Sequence, residues 1–512
     1  MKIAIVNTFA YRPHVEHLVW IGDALASQGH EIIYYGCAGG RRVSCNTKLF
    51  KESTSSIVNC FICKQFGLGA FGKDVKYLLA DNQEAALLSE DVANSSLYTN
   101  LRVETPDEIA TVKSDSRFGS LLMSGSSIAE SFSIEIDKYR FDLVIGFNGR
   151  MDLMRAIRLS TTSHNLPFVS VERPWFGKGL LCIPNEGPLN FAGIGKLWSR
   201  SRFCALSRND ALKAIQPMVK RRLKINNAEF RVFGKENNSC EIPDGWNNKK
   251  SRYLYLPSSR MEALTEIDQE DVLWSHPLDA LQELIASGEI EKDQILVRFH
   301  PIWSQELNGH PPAKETMRYY KNRCAEIGVN YIDSDSTIST EVLIEESDVI
   351  ILNGSSAFWE VGLLGKPIIS LVKSWYDPFN LTYKLYTRTS FTGLKSYIEE
   401  FNDEESRRFF LRALNLFQFS FTQFTESVFH KTSFEVYFKT ASDIEIGKFL
   451  DFVLKGDLNG NSTGDYTDAF EDEILNDYKA QNFTSMLINE DFENAYRLTP
   501  KNTIKKWLHQ KV

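Results

Sequence analysis

QILVRFHP, residues 294–301, and after a spacer VNYIDSDSTISTEVLIEESDVIILNGSSAFWEVGLLGKPIISLVKSWY, residues 329–376, decide the fold. Ile295–Val297 reads as a short strand buried on both faces, as in a parallel sheet. It carries Arg298, His300 and Pro301 to its C-terminal end, where open α/β sheets place their ligands. A second strand ends at Tyr331–Asp333, and Glu341–Glu346 forms a short helix. The apolar run Asp348–Leu352 is a third strand, leading through Asn353-Gly354-Ser355-Ser356 into a helix that reaches about Leu364. Gly365-Lys366-Pro367 ends that helix and opens the strand Ile368–Val372. Unpaired N–H groups at a helix start favour anions, so Ser355 and Ser356 are placed to receive phosphate oxygens.

Working outward, Lys2–Val6, Val15–Ser27 and Glu31–Tyr35 read as strand, amphipathic helix and strand, the opening of a doubly wound sheet. The loop Asn7–His14 lacks GxGxxG, so no dinucleotide fingerprint is present. His14, Glu16 and His17 either face the crevice at the sheet edge or belong to a solvated, capped helix. Asp74–Leu88 and Ile109–Ile136 read as mainly helical. Phe141–Gly146 is a strand running into Phe147-Asn148-Gly149-Arg150 and the helix Asp152–Leu159, and the strand Pro167–Val171 presents Glu172-Arg173-Pro174-Trp175. Both loops open on one edge. Glu172 there, with Arg150 and Arg173 to orient acidic groups, has what a general base needs; the other reading is a buried ion pair. Asp152 is explained by the helix N-terminus and is the second choice of base.

A helix over Asn209–Leu223 precedes Glu236–Lys250, ENNSCEIPDGWNNKK, a polar linker without periodicity. A second βα series starts at Tyr253–Leu256, runs into Pro257-Ser258-Ser259-Arg260, and continues with a helix over Asp279–Ser287. His276-Pro277 opens a helix, with proline at the first helical position. The expected domains are 1–240, with a polar, cysteine-containing loop insertion at 37–63, and 251–395; helices over 396–455 and a connector with a helical tail over 456–512 follow.

A chain of 512 residues exceeds one core, and its 43% apolar and 24% charged fractions are those of a globular protein. A formal charge of −8 argues against general nucleic-acid binding. No apolar run approaches the ~18 residues of a spanning helix, and Met1–Asn7 lacks the build of a signal peptide, so a cytoplasmic protein with reduced cysteines is expected. Lys505-Lys506-Trp507 and Lys511 form a small basic patch suited to the cytoplasmic face of an anionic membrane. Among the eight cysteines, Cys37, Cys45, Cys60 and Cys63 either make a closed four-thiolate structural zinc site or act as small apolar fillers.

Arg298-Phe299-His300-Pro301, Ser339-Thr340-Glu341-Val342-Leu343-Ile344, Asp348, Gly354-Ser355-Ser356, Glu360 and Gly365-Lys366-Pro367 together resemble the capsule polysaccharide biosynthesis glycosyltransferases. Val361 stands where that family has alanine. With Asn148-Gly149-Arg150 and Glu172 the resemblance spans roughly residues 140–380, and the His-Pro and Ser-Ser pairs look like those of bacterial sialyltransferases and β-Kdo transferases. The resemblance implies a GT-B-like α/β fold, two Rossmann-like doubly wound domains facing a cleft with C-terminal helices. It implies inverting, metal-independent transfer of a sugar from a nucleotide donor to a glycan or lipid-linked glycan, with peripheral contact to the inner membrane or an assembly complex. Fixed donors then stabilise the leaving phosphate: His300, Ser355, Ser356 and the amides that open the following helix, with Ser258 and Ser259 closing over it and Glu360 on the ribose; Arg298 either adds positive potential or points into the sheet and pairs with Asp333. Glu172, Asp152 and His300 are the catalytic candidates, and Arg150, Arg173 and His14 the acceptor-binding ones. A CDP-glycerol-type phosphotransferase, a nucleotide-sugar epimerase and a non-catalytic scaffold stay open as alternatives.

Overall fold

The computed structural model describes residues 1–11, 14–50, 56–173, 175–176, 180–225, 242, 246, 251–306, 312–420, 450, 454 and 468–488. The first half holds strands β1 (Lys2–Val6), β2 (Glu31–Cys37), β3 (Val75–Leu78), β4 (Leu143–Phe147), β5 (Phe168–Glu172) and β6 (Leu181–Pro184). The second holds β7 (Tyr253–Leu256), β8 (Ile295–Arg298), β9 (Asn330–Ile332), β10 (Val349–Leu352), β11 (Ile368–Ser370) and β12 (Tyr383–Lys384). The sheets run β3-β2-β1-β4-β5-β6 and β12-β11-β10-β7-β8-β9. Counted within each half, both orders are 3-2-1-4-5-6, and every pairing is parallel except β5 with β6. The strands β4, β7 and β10 and the run Ile295–Val297 of β8 are apolar and buried throughout because helices cover both faces of a parallel sheet. The doubly wound, two-sheet α/β architecture expected from the sequence is therefore present.

Each sheet has its switch point where the chain reverses direction of growth, between β1 and β4 and between β7 and β10. Contacts join the carboxyl edges across the gap between halves. Arg150, just past β4, donates from Nη2 to Glu262 Oε1 at 3.0 Å, just past β7. Arg155 and Arg158 on the helix Asp152–Ser163 both reach Glu266, which is buried. An aromatic cluster closes one side, with Trp175 and Trp375 centroids 4.6 Å apart and Phe191 and Phe417 each 5.2 Å from a neighbour. The helix Asp403–Ser420 ties the halves from below: Gln418 Nε2 donates to Ala214 O at 2.6 Å on the helix Arg208–Arg222, while Phe410 packs on Phe358 of the second half. Arg412 completes a buried pair with Glu471 of the helix Asp468–Lys479.

Two expectations need correction. Asp74–Leu88 is not helical: Val75–Leu78 is β3, in register with Tyr34–Cys37 on the open side of β2. Val-Lys-Tyr-Leu after the Gly72-Lys73-Asp74 turn holds a β-branched and an aromatic residue that suit a strand, and an edge strand needs only one partner. The insertion after β2 is not merely polar loop, since Ser56–Phe66 is an 11-residue helix carrying Cys60 and Cys63. Most of the proposed linker at 236–250, the connector at 456–467, and the basic patch at Lys505, Lys506, Trp507 and Lys511 lie outside the described residues. Among the described residues no helix is long and apolar enough to cross a membrane.

Candidate active site

At the edge of the first sheet, the chain leaves β4 through Asn148 and Gly149, with φ of 62° and 71°. Gly149 is required there, because a Cβ would meet Phe168 at 2.9 Å and the left-handed backbone disfavours other residues. The reversal lets Asn148 act twice: Oδ1 accepts from Arg150 N–H at 2.9 Å, and Nδ2 donates to Glu172 Oε2 at 2.8 Å. Glu172 Oε1 accepts from Arg173 N–H at 2.8 Å and stands 3.5 Å from His14 Nε2. His14 packs against Phe147, centroids 4.3 Å apart. Burial, with Arg173 nearby, lowers its pKa to about 3, so its ring is neutral beside the carboxylate. Burial raises the Glu172 pKa above the usual carboxylate range, against the pull of the Arg173 N–H, the Asn148 amide and two arginine charges. A fixed carboxylate of raised pKa, with its side chain 22% exposed, can take a proton from a hydroxyl brought to it.

Glu172, His14 and Arg173 are thus brought together at one edge. Asp152 sits apart, 1% exposed: Oδ2 accepts from Asn46 N–H at 2.5 Å and Oδ1 from Leu153 N–H. Burial raises its pKa to about 6 despite those bonds. Its visible work is to pin the turn at Cys45-Asn46 to a helix start whose backbone is strained, with φ of 39° at Asp152. Arg150 is 5% exposed and engaged by Thr99 Oγ1 at 2.7 Å as well as by Glu262, so its guanidinium fastens the halves. His17 is 1% exposed within the helix face.

At the edge of the second sheet, Asn353 and Gly354 repeat the arrangement after β10. Asn353 is 6% exposed; its Oδ1 accepts from Ser258 N–H at 2.5 Å, tying the β10 loop to the β7 loop across the switch point, and its Nδ2 has no partner among the described residues. Gly354, φ 116°, is clamped by Tyr376 OH on its N–H at 3.1 Å and by Trp375 Nε1 on its carbonyl at 2.9 Å. Ser355 Oγ accepts from Ala357 N–H at 3.2 Å, and Ser356 is exposed. The helix that follows, Ala357–Leu363, has only seven residues, so hydroxyls and the Asn353 amide contribute more here than a helix dipole does.

On the other side of β7, His300 closes β8 and caps the turn Pro301–Ser304 by accepting Ile302 N–H on Nδ1 at 3.1 Å. In a neutral ring that bond leaves the hydrogen on Nε2, a donor. His276 makes the same cap, Nδ1 to Leu278 N–H at 3.2 Å, but is wholly buried against Tyr319 and Tyr320.

Three other expected donor-site residues are engaged within the protein. Arg298 is 2% exposed and donates to the carbonyls of Asp333 and Ser336, capping the end of β9, and burial lowers its pKa to about 10. Ser259 Oγ donates to Glu104 of the first half. Glu360 Oε1 lies 3.3 Å from Arg221 Nη1 on the helix Arg208–Arg222.

Cys37, Cys45, Cys60 and Cys63 gather around the end of β2. The Sγ of Cys37 accepts from Gly39 N–H at 3.3 Å, and Gly39 packs on Cys60. Burial pushes the Cys37 thiol up to about 12 and the Cys45 thiol well above its ordinary value. Among the described residues no group of three or more His, Cys, Asp or Glu side chains is arranged to hold a metal ion. Zinc therefore enters no step below.

Sequence reasoning missed Asn353 and Glu104, though the Asn-Gly pair after the fourth strand of each half was a visible signal.

No family model matches this chain, and no curated protein is significantly similar to it in sequence. Among solved structures, KpsC, the β-Kdo 2,4-transferase of Thermosulfurimonas dismutans, is similar at 15% identity over 54% of this chain and 80% of that one, with a TM-score of 0.30. A putative UDP-N-acetylglucosamine 2-epimerase from Listeria monocytogenes is 12% identical over 80% and 90% of the two chains, TM-score 0.24. MurG of Acinetobacter baumannii is 10% identical over 82% and 97%, TM-score 0.28. Identities and TM-scores this low carry no functional argument, so the reading rests on the geometry and on the motifs themselves.

Proposed function

We propose that the chain is a glycosyltransferase of the GT-B type, moving a sugar from a nucleotide donor, CMP-Kdo-like or another nucleotide sugar, to a growing surface polysaccharide of capsule or lipopolysaccharide. The observation that carries this reading is the opposition of two unlike edges. A carboxylate of raised pKa, Glu172, ends β5 of the first sheet, and a set of side chains able to donate, Asn353 Nδ2, Ser355, Ser356 and the His300 ring, ends β10 and β8 of the second. In such a transfer the acceptor hydroxyl loses a proton as the leaving nucleotide gains charge. Glu172 takes that proton, oriented by Asn148 and the Arg173 N–H. The acceptor oxygen bonds to the anomeric carbon from the face opposite the carbon–oxygen bond to phosphate as that bond breaks, which inverts the carbon, and the donors of the second edge receive the departing phosphate without a metal ion. The acceptor is a glycan or lipid-linked glycan met on the cytoplasmic side.

A thermal-shift titration with CMP, CDP, UDP and GDP tests the donor side, since a ligand that binds only the folded state raises the melting temperature. A rise with one pyrimidine nucleotide and none with buffer phosphate is expected. No shift with any of the four overturns the transferase reading.

A further inference from the structure

Between the helices Asp91–Leu101 and Pro106–Thr111 of the first half runs the stretch Arg102-Val103-Glu104, which touches both turns proposed to meet the nucleotide. Arg102, with φ 57°, ends its helix and is 5% exposed. Its Nη2 donates to Ile302 O at 2.7 Å and its Nη1 to Gln305 O at 3.0 Å, the two ends of the turn that follows His300-Pro301. Glu104 is 1% exposed, and its carboxylate accepts from Ser259 Oγ and from Arg260 N–H at 2.6 Å, in the turn that follows β7. The same turn reaches the switch point, where Ser258 N–H meets Asn353 Oδ1.

The stretch is itself braced. Glu108 Oε2 accepts from Glu104 N–H and Thr105 N–H, both at 3.0 Å, and the Thr105 hydroxyl returns the bond as a capping box. Burying a carboxyl group is unfavourable unless its oxygens are engaged, so Glu104 is a demanding way to hold a turn together. A simple packing contact would not need two acceptor oxygens there. What they achieve is directional: both donors, the Ser259 hydroxyl and the Arg260 N–H, belong to one loop of the opposite half.

We propose that Arg102 and Glu104 are positioning residues that hold the β7 and β8 turns in their binding shape from across the gap, so that nucleotide affinity depends on contact between the halves. This rests on the reading of the second edge as the nucleotide site. Ser259 is then a tether of the loop, and Ser258, Ser355 and His300 are the groups it sets in place.

Two measurements on the full chain separate this proposal from the reading beneath it. Hydrogen exchange followed by mass spectrometry on Glu104→Ala should show faster exchange across 257–262, and on Arg102→Ala across 300–306, with the rest of the second sheet unchanged. Calorimetric titration with CMP, CDP and UDP should show an affinity loss of about tenfold or more in Glu104→Ala, the scale of losing hydrogen bonds to a charged group. Glu104→Gln, which keeps an acceptor in place, should stay within about threefold of wild type. Unchanged exchange in Glu104→Ala overturns the tether whichever nucleotide binds. Faster exchange with unchanged affinity overturns the coupling. A wild-type protein that binds none of the three nucleotides overturns the nucleotide reading and the affinity claim built on it, while the exchange result still decides whether the turns are held from the first half.

Discussion

The two halves share a strand order and, after the fourth strand of each, the same two residues, Asn-Gly, yet they finish differently. In the first half Asn148 reaches sideways to the carboxylate of Glu172 at the end of the next strand; in the second Asn353 reaches the other way, to the backbone N–H of Ser258. One pedestal holds an acid side chain and the other holds a loop of hydroxyls and amides. The backbone device is the same, and what the adjacent strand end offers decides the chemistry. Glu172→Gln is the severest test of that division. Turnover should fall by about 10²- to 10⁴-fold, the usual range for losing a general base, with nucleotide affinity unchanged by calorimetry. A parallel loss of affinity would mean that the first edge also holds the donor.

The His-Pro turns sharpen the comparison from within the second half. His276 and His300 make one and the same N-cap bond, so capping alone cannot distinguish them. Position does: His300 ends a strand at the carboxyl edge, whereas His276 is buried beneath helix and sheet. His300→Ala should weaken nucleotide binding by about ten- to a hundredfold, the scale of one or two charge-assisted bonds, and cost little stability. His276→Ala should do the reverse, lowering stability by about 1–3 kcal/mol in urea unfolding with affinity intact, because it removes a buried cap and leaves a cavity. Equal effects on affinity would remove the distinction.

Much of this is legible in the sequence itself. The strand runs at Ile295, Val349 and Ile368 announce themselves because a strand buried on both faces has no polar positions, and glycine and proline punctuate them. The shared edge of the Asn148-Gly149-Arg150 and Glu172-Arg173 loops followed from the rule that loops at strand C-termini open together, whereas the place of His14 beside Glu172 did not. Edge strands were harder: β3, at four residues, and β12, at two, carry no long pattern. Side-chain direction was the other loss. Arg298 lies one residue before Phe299 in a period-two strand, but whether its guanidinium turns to the crevice or to the carbonyls of Asp333 and Ser336 depends on a neighbouring loop 35 residues away. Glu104 was invisible for the same reason, since its partners Ser259 and Arg260 are more than 150 residues distant in sequence.

The two asparagines give a finer test. Asn353→Ala should loosen the Ser258 turn and weaken nucleotide binding by about fivefold to tenfold, with the pH dependence of turnover unmoved. Asn148→Ala should leave affinity alone and act on Glu172 instead. The Asn148 amide favours the charged carboxylate, so its loss raises the Glu172 pKa further, and the acid limb of the kcat/KM profile should move to higher pH. A shift to lower pH would contradict the assignment of Glu172 as base.

The smallest effect expected concerns the tether between the halves, and its sign is opposite to the ordinary behaviour of a paired carboxylate. Burial, aided by the charge of Glu108, lifts the Glu104 pKa from 4.5 to about 7, although Ser259, the Arg260 N–H and the Arg260 guanidinium all oppose the shift. The unfolded chain therefore releases this proton at a lower pH than the folded protein does. Between those values the native state holds the extra proton, so each rise in pH makes unfolding easier. His14 has the contrary sign, because it stays uncharged in the fold down to about pH 3 and adds stability as pH climbs toward its ordinary value of 6.5. Subtracting the unfolding free energy of Glu104→Gln from that of wild type cancels His14 and every other group the two proteins share. The difference should fall by about 0.7 kcal/mol from about pH 6.5 to about pH 7.5, half the limiting slope for one proton, and level off above that. Stability curves that run parallel through this window would mean that Glu104 is charged in the folded protein throughout, and that the halves meet over an ordinary ion pair with Arg260.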